Sequence, residues 1–154
     1  MIRTKLFAAI LICSQSLSGM AADWPQWMGE KRDGIWRETG ILEKFPAEGP
    51  VIKWRVPLHG GYAGPAVAGG RVFVTDFVAA GGAAKPNPNV RSEVKGKERI
   101  LCLNAADGKE LWKHEYDFTY HFSYAFGPRW PPPVSGREVF PRPVLGSLGG
   151  GVVF

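Results

Sequence analysis

The stretch ERILCLNAADGKELW, residues 98–112, decides the fold. Residues 99–103 are apolar and β-prone. Residues 104–109 gather Asn, Asp and Gly, which close tight turns because they tolerate positive φ or bond their own backbone. Residues 110–115 alternate polar and apolar around Leu111 and Trp112, as a half-buried strand does. The segment therefore reads as strand, turn, strand, and its neighbours read the same way. Residues 65–78 place a second hairpin around Gly69-Gly70, with Val72, Val74 and Phe77 on the strand that follows. Residues 51–56, VIKWRV, predict another strand centred on Trp54, and residues 59–64, HGGYAG, a bend that lacks the Gly-Lys-Ser/Thr of a phosphate loop.

A short internal repeat ties these pieces together. Residues 65–73, PAVAGGRVF, align with residues 132–140, PPVSGREVF, at an offset of 67. Trp54 and Trp112 hold comparable strand positions. Between the copies, residues 79–97 carry Ala, Gly, Pro and Asn without apolar periodicity, and predict a long loop inserted between two strands. Without that insertion both spacings approach the roughly 40–50 residues of a four-stranded propeller blade. Residues 114–130 place aromatic residues at alternate positions, including Tyr116, Phe118, Tyr120 and Tyr124, which predicts a strand with one aromatic face.

The turn and its flanks also resemble the repeat of the pyrroloquinoline-quinone (PQQ)-type β-propellers, whose blades end on Ala-x-Asp-x-x-Thr-Gly-Lys-x-x-Trp. Gly108, Lys109 and Trp112 match; Cys102, Asn104 and Asp107 stand at the Ala, Asp and Thr positions and keep a small apolar residue and turn chemistry. Residues 23–34, DWPQWMGEKRDG, are similar to the opening of exported, planctomycete-type proteins of this family, with Met28 and Glu30 as departures. The resemblance implies an all-β fold: an incomplete β-propeller of about one and a half to two four-stranded antiparallel blades. It also implies a blade-docking role for Gly108, Lys109 and Trp112, since the family's Trp stacks between blades. Residues 23–50 form a Trp-rich lead-in and residues 51–154 the partial propeller. Because a closed ring needs about four to eight blades, the chain reads as truncated or as a piece of a longer protein.

Residues 1–22 read as a secretory signal peptide: Arg3 and Lys5 precede an apolar core at residues 6–12, and cleavage is expected near Ala21 or Ala22. The expected destination is the periplasm or the outside of the cell, with no membrane span because the apolar run is too short. Setting Arg3 and Lys5 aside reduces the formal charge of +5 to +3. The basic residues are scattered among acids, which argues against nucleic-acid binding. One cysteine, Cys102, remains after the leader and reads as a buried small residue.

No catalytic, cofactor-binding or metal-binding residues emerge. His59, His114 and His121 lack metal-ligand spacing, and Asp76, Asp107 and Asp117 read as turn or strand-edge residues. Trp24, Trp27, Tyr120 and Tyr124 are the candidates for an aromatic ligand-facing surface. Two functions follow from the resemblance. The first is a non-catalytic exported propeller that scaffolds other proteins, similar to the propeller of the outer-membrane-protein assembly machine and without cofactor. Its partners would be proteins at the propeller rims or the missing blades of the same fold, with self-association through exposed edges as a further outcome. The alternative is a fragment of a PQQ-dependent quinoprotein alcohol dehydrogenase, which would need PQQ and calcium. That family's vicinal Cys-Cys pair is absent from this sequence.

Overall fold

The structure, a computed structural model, describes residues 22–81, 92–122, 127–136, 138–140 and 152–153. These residues are all-β, and no helix occurs among them. The strands are β1 (Ala66–Ala68), β2 (Arg71–Ala79), β3 (Ser92–Asn104), β4 (Glu110–Phe122), β5 (Val134–Ser135), β6 (Glu138–Val139) and β7 (Val152–Val153). They form two antiparallel sheets, ordered β1-β2-β3-β4 and β5-β6-β7. The expected signal peptide falls on residues outside this description, apart from Ala22.

The two copies of the sequence repeat fold alike. Val67 pairs with Val72 and Ala68 with Arg71 in the first hairpin. The equivalent residues Val134 and Val139, and Ser135 and Glu138, pair in the second. Register as well as sequence is therefore repeated, and both turns carry a positive-φ glycine, Gly69 and Gly136.

The hairpin of residues 98–112 forms as read. Asn104 starts the turn: its Oδ1 accepts the Ala106 N–H at 2.8 Å and its carbonyl accepts the Gly108 N–H at 2.8 Å. On leaving the turn, the register slips between Cys102 and Leu103, so that Trp112 faces Cys102 and Glu110 faces Leu103. This bulge accounts for the adjacent apolar pair. Leu111 is the extra residue and stays 49% exposed, while Trp112 turns inward.

Two expectations need correction. Residues 92–97, placed in the inserted loop, belong to β3, which continues the ladder through Val78–Lys97 and Ala79–Gly96. Alternation is present there, but Val94 is its one aliphatic inward position, and the next two inward positions are Gly96 and Glu98. Gly96 is required: a Cβ would lie 2.2 Å from the Val78 carbonyl oxygen and 2.6 Å from the Phe77 ring. Residues 51–56, expected to be a strand, join no ladder. Trp54 and Val56 lie against Val74, Leu101 and Leu103, so the segment crosses a sheet face, where no strand edge is available to pair its backbone.

The core has three parts. Ala66, Phe73, Ile100 and Cys102 of the large sheet meet Val139 of the small one, with Trp112 and Val134 packed at the border. This cluster joins the sheets. On the opposite face Trp54 and Val56 cover Val74, Leu101 and Leu103. At the far end Phe77, Val94 and Tyr120 form the third cluster. Each fully buried aliphatic or aromatic side chain here contributes about 1.5–3 kcal/mol of burial.

Candidate functional site

Three loops converge beside the paired sheets and carry the exposed aromatic residues. The N-terminal segment enters along the free edge of β1: Trp24 donates to the Val67 carbonyl at 2.8 Å and accepts its N–H at 2.9 Å. One residue on, the Pro25 carbonyl accepts the Val134 N–H at 2.9 Å. The segment thus straps the first strands of both hairpins. The Trp24 ring lies on Gly29, whose φ is +81° and whose Cβ would come within 2.9 Å of it. Trp24 is half-buried in that role. Trp27 points outward and meets Trp130 edge-on, with centroids 5.6 Å apart and planes at 78°. Both rings are more than half exposed, at 58% and 53%.

Residues 59–64 supply the second side of this end. The Tyr62 and Ala63 N–H groups both donate to the Pro128 carbonyl, at 2.7 and 3.0 Å. Gly127 makes this approach possible, since its φ is +119° and a Cβ would lie 2.6 Å from the Gly60 carbonyl oxygen. The Arg129 guanidinium sits 5.0 Å from the centroid of the exposed Tyr62 ring, a cation–π distance.

Of the described residues expected on an aromatic surface, Trp27 is largely exposed. Trp24 is half-buried. Tyr120 is a correction: it is 1% exposed, edge-on to Phe77 at 4.9 Å, because β4 turns its even positions into the sheet face that packs on Phe77. Tyr124 lies outside the described residues. Trp130 and Tyr62 carried no sequence signal, since each sits in a Gly- or Pro-rich loop without periodicity.

The blade-docking residues divide. Gly108, at φ +73°, is buried beneath Trp54, and a Cβ would lie 2.7 Å from that ring. Trp54 in turn donates its indole N–H to the Ala105 carbonyl at 3.0 Å. Trp112 is half-buried, 6.0 Å from the Phe73 ring, at the border between the sheets. Lys109 is solvent-exposed and pairs with Asp107 at 3.2 Å, so its own contact lies within the turn.

Two buried carboxylates, neither of them legible as such in the sequence, sit on opposite faces of the large sheet, Glu98 on β3 and Asp76 on β2. Glu98 receives hydrogen bonds from the Tyr116 hydroxyl on Oε2 and the Tyr120 hydroxyl on Oε1. Burial, and then the Glu98 carboxylate, push both phenol pKa values well above the usual 10. Asp76, expected at a strand edge or turn, is 1% exposed in β2. Its Oδ1 accepts Arg99 Nε at 2.7 Å, and its Oδ2 accepts both Arg99 Nη2 and the His59 N–H, the latter at 2.7 Å. Hydrogen bonding to Asp76 holds the Arg99 guanidinium still more firmly protonated. Every oxygen of the two carboxylates thus has a protein donor, an arrangement that offsets burial rather than presenting a base to a substrate. Burial likewise raises the Cys102 thiol pKa.

Among the described residues no group of three or more His, Cys, Asp or Glu is placed to hold a metal ion. A wide depression of about 620 Å³ lies at the far end of the large sheet, lined by Val78, Lys95, Lys97, Asp117 and Phe118 among others. Lys97 and Asp117 pair across it at 3.2 Å. No described helix is long and apolar enough to cross a membrane. Comparison with protein-family models, curated proteins and solved structures found no match.

Proposed function

We propose that the chain is part of an exported, propeller-type repeat protein that acts by binding other proteins and not by catalysis. One observation carries this reading. Trp27, Ile35, Trp36, Ile41, Leu42 and Phe45 are each 55–68% exposed within a single run of chain outside the sheets. Single exposed apolar residues are ordinary, but so many large ones in sequence mark a surface that gains by being covered. The propeller part of the reading draws support from the repeated hairpin register and from the family-like residues Gly108 and Trp112. Saturation of Glu98 and Asp76 by protein donors supports the non-catalytic part.

Site-specific photocrosslinking in the producing cell tests it. A photoreactive residue at Trp36 or Leu42 is expected to give a discrete heavier adduct, and one at the exposed Lys97 none. No adduct from either position, or stoichiometric PQQ binding with calcium-dependent alcohol oxidation by the purified chain, overturns the reading.

A further inference from the structure

We infer that residues 51–56 are an acceptor strand, to which a partner protein adds an extended segment that alternates acidic and apolar residues. These residues lie outside the run that carries the proposed function, so the two are tested apart. No turn or bend interrupts residues 51–59. Pro50 and Pro57, which lack an N–H, bound a stretch of ordinary strand length. Its sequence, VIKWRV, is strand-like, and Trp54 and Val56 rest on the large sheet against Val74, Leu101 and Leu103. Yet no backbone N–H or C=O of residues 51–56 bonds to another described residue. A strand-like backbone anchored on a packed face, with its polar groups left to solvent, is what strand addition requires.

The side chains define the segment that fits. Trp54 and Val56 face the sheet, whereas Lys53 and Arg55 are exposed. Neither cation has an ion-pair partner among the described residues. Ile52 shares the alternation of Trp54 and Val56 and is left 58% exposed. Residues directly opposite each other in a ladder share a face. A segment with carboxylates opposite Lys53 and Arg55 therefore places its intervening residues beside Ile52, Trp54 and Val56, where apolar side chains extend the covered surface. The same charges disfavour a second copy of this strand. Its two best-overlapped antiparallel registers set Lys53 against itself or against Arg55, and like charges directly opposite are destabilising.

Calorimetric titration and amide hydrogen exchange of the full chain at neutral pH test the inference, with a capped ten-residue peptide alternating Val and Glu as the probe. Two peptides serve as comparison: one with five Val followed by five Glu, and one alternating Val and Lys. The Val-Glu alternating peptide is expected to bind saturably and to protect alternate amides within residues 51–56. The other two should bind about tenfold more weakly or worse. In the double variant K53E/R55E, checked by circular dichroism for an unchanged β signal, the preference should invert toward the Val-Lys peptide. Absence of saturable binding by the Val-Glu alternating peptide, or equal binding of the block peptide, overturns the inference. So does a preference unchanged by the double variant, or protection confined to residues outside 51–56.

Discussion

Glu98 shows how one residue escapes a pattern reading and still organises its surroundings. It occupies an inward position of β3 where an aliphatic is expected, and it is tolerated because Tyr116 and Tyr120 donate to its two oxygens. Removing a single donor leaves a buried acceptor short of a partner, at a cost of about 1–3 kcal/mol. The phenols record this in their ionisation. Both have pKa values raised in the fold above the unfolded value near 10, by burial first and then by Glu98. The folded state keeps protons that the unfolded chain releases. Their contribution is therefore complete below about pH 10 and is lost progressively as the pH rises above it. Denaturant unfolding between about pH 8 and pH 11 should show stability falling with pH. The slope should be reduced in Tyr116→Phe and Tyr120→Phe. Normal titration of all four tyrosines near pH 10 in the folded protein would contradict this.

At the scale of the element, the hairpin of residues 98–112 was legible because three independent signals agreed: apolar run, Asn/Asp/Gly turn, and alternation. Residues 92–97 were not, because Val94 alone supplies an aliphatic inward position and the two that follow are Gly96, which admits Phe77, and Glu98, which is rescued by phenols. Residues 51–56 had strand composition but were drawn across a sheet face by Trp54, whose seat is Gly108. The sequence showed the tryptophan; it could not show which surface would receive it. Of the site, Trp27 was legible and its partner Trp130, 103 residues away, was not. Trp112 lies where β4 meets both Phe73 and the inter-sheet core. Since it is only half-buried, Trp112→Ala should cost about 2–3 kcal/mol, below the 3–5 of a fully buried aromatic. Urea unfolding followed by Trp fluorescence and far-UV signal measures it, and a change near zero would show that the contact carries no weight.

The whole molecule rests on two copies of one hairpin sharing a core. Val139 reaches the cluster of Ala66, Phe73, Ile100 and Cys102, and the N-terminal strap at Trp24 and Pro25 bonds to Val67 and Val134, equivalent residues of the two copies. The three-stranded sheet, built of two-residue strands, is too short to be stable alone in water; packing against the large sheet supplies what is missing. The repeat announced the copies, while their face-to-face contact depended on tertiary packing that no local pattern encodes. The most direct test is a methyl NOE experiment on the labelled chain. Cross-peaks from the Val139 methyls to the Ile100 δ1 methyl and the Phe73 ring are expected, at intensities comparable to those within the large sheet. Cross-peaks between Val134 and Val139 without any to Ile100 or Phe73 would mean that the second hairpin forms but does not dock, and would contradict the shared core.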